Sequence, residues 1–303
     1  MVGHSISTLY NLYFSSSYIS NVLPDLGVEN VKQYTFEDFA YEVIGKKLKI
    51  SDSNEKLVII VNKEFDEINK GNIDVIIKES KIKSSIEFKE IMDSYIKLLE
   101  ESYLPKKDFI LHNVRIMKYE TIMDLFLNTY KNLTFKRRIE EIKKHVFSKI
   151  KNNAETIEET IKYKRSIKIK KLVNENFDEE TTRLKRIEIF EEYEDILKKL
   201  DKRDPKIVDF YFNEIIEKDA ITYYKEFIEN FVFDKITNKD IAEYMVKNTL
   251  ENLEKGEVTF EDLAPIIYLH YKIYGAKFKT KLKHVIIDEA QDYGEFAFYV
   301  LKM

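Results

Sequence analysis

The stretch His284-Val285-Ile286-Ile287-Asp288-Glu289-Ala290-Gln291-Asp292 decides how the chain is read. His284 to Ile287 reads as the end of a buried strand. A continuous apolar run of this kind suits a parallel strand covered on both faces. In open parallel sheets, ligands bind outside the carboxyl ends of the strands. Asp288 and Glu289 would stand at that edge. An acid there can hold Mg²⁺ directly or through water, and its neighbour can orient or deprotonate a water that attacks a phosphate. An apolar run followed by Asp-Glu also occurs where an ordinary strand leads into a capped helix. The added Ala-Gln-Asp makes the string far less ordinary, and Gln33 and Gln291 are the only glutamines in the chain.

The chain has 303 residues, enough for one large domain or two ordinary ones. It is 44% hydrophobic and 34% charged, with 50 basic and 54 acidic residues and a net charge of −4. No global attraction to nucleic acid or to an anionic membrane follows, so any such contact must be local. Cysteine is absent. That removes a disulfide framework, a thiolate zinc site and a cysteine nucleophile, and fits a reducing, cytoplasmic setting. No apolar stretch approaches the ~18 residues that span a bilayer, so no membrane partner is expected. The first residues lack the basic-then-apolar pattern of a signal peptide. Seven glycines and four prolines among many charged residues predict long helices with a minor sheet.

Outward from the motif, Thr259 with Asp262 predicts a capped helix through Leu263-Ala264-Pro265-Ile266-Ile267-Tyr268-Leu269. At the other end, Leu9, Leu12, Tyr13, Ser16 and Ile19 keep helical spacing. Val31 to Tyr34 is a strand candidate, and Thr35 with Asp38 approximates a second capping box. Leu57 to Val61 is a short, ambiguous strand candidate. Ser84 and Glu87 open a helix to about Tyr103, with Ile86, Ile91, Tyr95, Leu98 and Leu99 on one face. Phe109 to Met117 is predicted as a strand and Tyr119 to Tyr130 as a helix. Phe135, Ile139, Ile142, Val146 and Ile150 mark one helix face. A long helix from Asp178 to Leu200 is predicted to turn Leu184, Ile187, Phe190, Tyr193 and Leu197 inward. The aromatics from Phe210 to Phe233 read as core, His112 reads as a structural histidine, and no exact internal repeat is seen.

Two basic clusters stand out: Lys136-Arg137-Arg138, and Lys162, Lys164, Arg165, Lys168, Lys170 and Lys171. The second could neutralise phosphates, with Lys164, Arg165 and Lys168 as nucleic-acid candidates. It could equally be a solvated helix face balanced by Glu155, Glu158, Glu159, Glu179 and Glu180, and the charge pattern favours this.

The Asp-Glu-x-Gln-Asp string resembles motif II (Walker B) of the UvrD/Rep-like superfamily-one helicases. Tyr18-Ile19-Ser20-Asn21-Val22-Leu23-Pro24-Asp25-Leu26-Gly27 resembles the segment after motif Ia in the HelD-like branch. Gln33-Tyr34-Thr35-Phe36-Glu37-Asp38-Phe39-Ala40 resembles motif Ib, and the segment around Asp262-Leu263-Ala264-Pro265 resembles the lead into motif II. The resemblance implies an α/β fold of predominantly helical content: a partial RecA-like (P-loop NTPase) parallel sheet interrupted by a large helical insertion. Residues 1–50 would belong to domain 1A, residues 51–255 to a 1B-like insertion or interaction arm, and residues 256–303 to the return into domain 1A. It implies that Asp288 ligates Mg²⁺, Glu289 polarises the attacking water, Gln291 senses the γ-phosphate and Asp292 couples the site to neighbouring motifs. Thr35 is a candidate contact on the nucleic-acid path, and Phe36 a core residue.

Nothing in the chain fits Gly-x-x-x-x-Gly-Lys-[Ser/Thr], so no P-loop cradles phosphates. The expectation is a fragment running from after motif I through motif II, inactive alone. Mg²⁺ and ATP are expected in the intact parent but not bound tightly to this fragment. Two partner readings stay open: single-stranded or duplex DNA for an ATP-driven helicase or translocase, and RNA polymerase for a helical arm that helps release it from nucleic acid.

Overall fold

The computed structural model of the chain describes residues 6–9, 31–46, 48–51, 70–175, 177–276 and 284–303. The segment Tyr18–Gly27 and the strand expected over Leu57–Val61 lie outside these residues. Strands are β1 (Ile6–Leu9), β2 (Val31–Tyr34), β3 (Lys49–Ile50), β4 (Phe109–Leu111), β5 (Val114–Met117), β6 (Glu257–Val258) and β7 (His284–Ile287). The longer helices are α1 (Phe36–Ile44), α2 (Lys70–Lys83), α3 (Ile86–Ser102), α4 (Tyr119–Asp124), α5 (Phe135–Asn152), α6 (Ala154–Val173), α7 (Glu179–Asp201), α8 (Ala220–Phe227), α9 (Lys239–Glu254), α10 (Phe260–Tyr274) and α11 (Glu295–Lys302). The fold is mostly helical with a small sheet, as the scarcity of breakers predicted.

The chain divides into two compact units, residues 1–98 with 218–303, and residues 99–217. The first is thus discontinuous, and its interruption is shorter than the 51–255 read from sequence, because α8, α9 and residues 70–98 group with the first unit.

In the first unit β1 runs between β2 and β7, parallel to both. Leu9 is level with Tyr34 on one side and with Ile287 on the other. Leu9 therefore ends a strand and does not open a helix. The expected burial of the motif strand is corrected too: Val285 and Ile286 are exposed. Among the described residues β7 has a neighbouring strand on one side only.

The core of this unit is α10. Leu263 to Leu269 are all buried, together with Ile273. Pro265 falls in the second turn, close to the end where a missing N–H costs least. Thr259 donates its N–H and its hydroxyl to Asp262 Oδ2 at 2.9 and 2.8 Å, closing the start of the helix. The N-terminus of α1 is built alike. The Asp38 N–H donates to Thr35 Oγ1 at 3.0 Å, and the Thr35 N–H to Asp38 Oδ2 at 3.0 Å. Thr-Phe-Glu-Asp occurs at both places, residues 35–38 and 259–262, a short exact repeat where none was expected. Its two phenylalanines meet, with the rings of Phe36 and Phe260 5.7 Å apart.

A buried charge cluster ties four helices of this unit. Lys83 Nζ on α2 lies 2.7 Å from Glu79 Oε1, 2.8 Å from Asp262 Oδ1 on α10 and 2.7 Å from Thr249 Oγ1 on α9. The Tyr224 hydroxyl on α8 donates to Asp262 Oδ1 at 2.6 Å. Burial alone would lower the Lys83 pKa, but Asp262 and Glu79 reverse that and hold it above the ordinary lysine range. Burial would likewise raise Asp262, but Lys83, Tyr224 and the Thr259 N–H bring it below the ordinary aspartate value.

The second unit holds the β4–β5 hairpin and α4 to α7. A single strand over Phe109–Met117 is corrected to this hairpin: His112 and Asn113 both have positive φ, 41° and 62°, and reverse the chain. Helix α4 continues into a π-helical turn, Leu125–Thr129, matching the extent expected to Tyr130. On α5, Phe135, Ile142, Val146 and Ile150 are buried as predicted, Ile139 of the same expected face is half-buried, and Arg138 is buried with them. Its guanidinium donates to Glu100 Oε1 at 2.7 Å and to the Leu133, Phe126 and Lys131 carbonyls, and lies against both the Phe126 and Phe135 rings, 5.0 and 5.2 Å from their centres.

On α7 the inward face is Ile189, Tyr193 and Leu200, packed with α6. Leu184, Ile187 and Phe190, expected inward, are exposed. On α3 the buried residues are Phe88, Met92, Tyr95 and Ile96, while Leu98 is exposed.

Candidate functional site

The motif strand ends at Ile287, and Asp288 follows at the carboxyl edge. Glu289 turns the chain in the left-handed region, φ 48° and ψ 42°. For a residue with a Cβ this conformation costs about 1–2 kcal/mol, so the surrounding structure must impose it. A short 3₁₀ turn, Ala290–Asp292, follows at once. The turn is held from within. The Glu289 N–H donates to Asp288 Oδ1 at 3.0 Å, the Asp292 N–H to the Glu289 carbonyl at 2.9 Å, and Gln291 Nε2 to Glu289 Oε2.

It is also anchored on its far side. Tyr293 is buried, with its ring 5.7 Å from Phe36, 6.1 Å from Phe260 and 6.2 Å from Phe298. Gly294 passes so close to the α2–α3 corner that a Cβ there would stand 2.4 Å from Ser84 Cβ and 2.6 Å from its carbonyl oxygen. The Phe296 N–H donates to that same carbonyl at 3.0 Å. Strand, left-handed residue and aromatic anchor together present Asp288 half-buried and Glu289, Gln291 and Asp292 exposed.

Thr35 reaches the same edge from β2. Thr35 and Asp288 each follow the residue level with Leu9, on strands two apart. At the usual inter-strand spacing that separation is about 10 Å. The link is physical as well, since Phe36, next to Thr35, packs on Tyr293, next to Asp292. Phe36 is a core residue, as the resemblance implied. Sequence reading identified both loops but missed Tyr293 and Gly294, the residues that position one against the other. The doubled Thr-Phe-Glu-Asp signals the Phe36–Phe260 contact, but neither Tyr293 nor Gly294.

Lys164, Arg165 and Lys168 lie on α6 in the second unit. Arg165 Nη1 pairs with Glu194 at 3.0 Å, Lys168 Nζ with Glu192 at 2.7 Å, and Lys164 Nζ donates to the Asn113 carbonyl. Glu192 holds Lys168 above the ordinary lysine range. Lys162 pairs with Glu158 at 2.5 Å, and Arg137 with Glu140 at 3.0 Å. The acids that balance α6 thus come from its own first half and from the middle of α7. His112 stacks on Tyr193 at 4.9 Å, with its pKa lowered by burial.

Among the described residues no group of three or more His, Asp or Glu side chains is placed to hold a metal ion, and no helix is long and apolar enough to cross a membrane. Asp288 is the residue at the sheet edge that could take a cation. Mg²⁺ typically keeps several waters and uses one or two carboxylates plus substrate phosphates, so one aspartate at a strand end suits it. No protein-family model matches the chain, and no curated protein matches it.

Proposed function

We propose that the chain carries the Walker B half of the ATP site of a UvrD/HelD-like superfamily-one helicase or translocase, on part of a RecA-like sheet. One observation carries this reading: Asp288-Glu289-Ala290-Gln291-Asp292 follows a parallel strand directly, at the edge that Thr35 also reaches. A second supports it. Parallel sheets are buried on both faces, and the exposed Val285 and Ile286 are what further strands and helices of such a sheet would cover.

Bound Mg²⁺–ATP supplies the phosphoryl group to be transferred. Asp288 would hold the cation from the strand end. Glu289 would orient a water, the hydrogen bond from Gln291 would fix the Glu289 carboxylate for that task, and Gln291 would sense the γ-phosphate. Asp292 and the buried Tyr293 carry the state of the site toward Phe36 and Thr35. Catalysis of this kind is positioning plus charge stabilisation and needs a P-loop. The 303 residues contain none, so the chain alone is expected to turn over no ATP.

The test on this chain is fluorescence-anisotropy binding of a labelled oligodeoxythymidine, titrated with salt. Binding is expected to weaken as salt rises and to fall with Thr35→Ala more than with Thr35→Ser, which keeps the helix cap. Absence of binding at low salt, or Mg²⁺-dependent ATP turnover by the chain alone, would contradict the reading.

A second reading, a helical arm that docks on RNA polymerase, draws on the ion pairs of the second unit. Arg165 and Lys168 spend their charge on Glu194 and Glu192 and are poorly placed for phosphates. Capture by purified bacterial RNA polymerase with only weak oligonucleotide binding would select this reading. No capture, with salt-sensitive binding, would exclude it.

A further inference from the structure

Helix α7 is apolar on two faces. Ile189, Tyr193 and Leu200 are buried. Leu184, Ile187 and Phe190 are 57%, 44% and 42% exposed. At 3.6 residues per turn, Ile187 lies roughly 120–160° round the helix from Ile189 and Tyr193. Leu184 lies on the far side too, while Phe190 is only about 60° from Tyr193, so the second stripe runs from the rim of the first at Phe190 out to the opposite face at Leu184. One side of Phe190 is met by the Arg165 guanidinium, 4.8 Å from the ring centre. Leucine, isoleucine and phenylalanine recurring every third residue on a solvent face point to a partner.

The charges around the stripe say which. Within eight residues of Ile187 the helix carries Arg183, Lys185 and Arg186 before it, preceded by Glu179 and Glu180, and Glu188, Glu191, Glu192, Glu194 and Asp195 after it. Glu192 and Glu194 are already paired with Lys168 and Arg165, and Lys185 lies over the Phe177 ring. Arg183, Arg186, Glu188 and Glu191 are exposed and make no ion pair among the described residues. Taken about Ile187 the pattern is self-complementary when reversed. Arg183 matches Glu191, Leu184 matches Phe190, Arg186 matches Glu188, and Ile187 meets itself.

We propose that this face of α7 binds the same face of a second copy of the chain, the two helices crossing antiparallel at Ile187. A two-fold axis makes such an interface self-complementary by construction. A parallel pairing would set Arg183 on Arg183 and Glu191 on Glu191. Glu180 and Glu194, which reversal would bring together, lie seven residues from Ile187, about 10 Å along the axis, where crossed helices have diverged. Three large apolar side chains per copy make a small interface, so the association is weak and concentration-dependent. The proposal stands on α7 alone and does not depend on the ATPase reading.

Sedimentation velocity on the whole chain across roughly 1–500 μM tests it. The sedimentation coefficient is expected to rise from monomer toward dimer. R183E and E191R should each raise the dissociation constant about tenfold, and the two together should restore it to within about threefold. Because the chain has no cysteine, I187C gives one thiol on the axis. It should form a disulfide-linked dimer under mild oxidation, while E180C and E194C should not. A monomer at every concentration, absence of rescue by the double swap, or equal cross-linking at 180, 187 and 194 would overturn the proposal. So would polymerase capture lost with I187S in a chain that stays monomeric.

Discussion

Lys83 and Asp262 form a buried ion pair in the first unit. Each is buried, and each is intelligible only through the other. Removing one partner leaves a charge in a site without water, which costs about 3–5 kcal/mol, so Lys83→Met is expected to destabilise by that order in urea unfolding. The pH dependence follows in sign. Asp262 has its folded pKa below the unfolded value, so its contribution is fully present above about pH 4 and is lost as pH falls through the folded value. Lys83 has its folded pKa raised, so its contribution is fully present below about pH 10 and is lost only as pH rises through the folded value. The cluster should therefore produce an acid limb in stability and none near neutrality. Asp262→Asn should flatten that limb, and an unchanged limb would exclude Asp262 as its source. Nothing in the sequence around Lys83 announces this role, because a lysine at the end of a charged helix reads as solvated. Asp262 was legible as half of a capping box, but that it also meets Lys83 is a tertiary fact.

Helix α7 shows how far periodicity reaches among the elements. Apolar residues at 184, 187 and 190 satisfy helical spacing as well as those at 189, 193 and 200 do, and spacing does not say which ribbon finds a partner in the chain. The same ambiguity moved the buried face of α3 from Ile91 and Leu98 to Phe88, Met92 and Ile96. Helices α5 and α10 were read correctly because each has one apolar face, or none that is polar. The two ribbons of α7 predict opposite outcomes. Tyr193→Ala is expected to cost about 3–5 kcal/mol of unfolding free energy, while Ile187→Ser should change it by less than about 0.5 kcal/mol at low protein concentration. Thermal or urea melts of the two variants check this, and equal losses would contradict the assignment of faces. At the strand level, β2 was legible beside the capping Thr35, and β7 from its apolar run before Asp288 and Glu289. Strand β1 was not, since Ile6–Leu9 gains its identity from the neighbours that pair with it.

Across the whole molecule, the sheet edge is where sequence and structure meet. Asp288, Glu289, Gln291 and Asp292 come together because they are adjacent in sequence, and that much was readable directly. Thr35 joins them through parallel pairing two strands wide and through an aromatic cluster of Phe36, Phe260 and Tyr293, which only the fold assembles. The basic residues of α6 belong to the other unit, where acids on α6 and α7 answer them. The central proposal is that Glu289 prepares water for attack on ATP. Steady-state ATP hydrolysis by the natural protein that carries this sequence, wild type beside Glu289→Gln, tests it most directly. Loss of kcat by about 100-fold or more, with ATP affinity retained, is the predicted result. Turnover unchanged by the substitution, or a wild-type protein that hydrolyses no ATP, would contradict it.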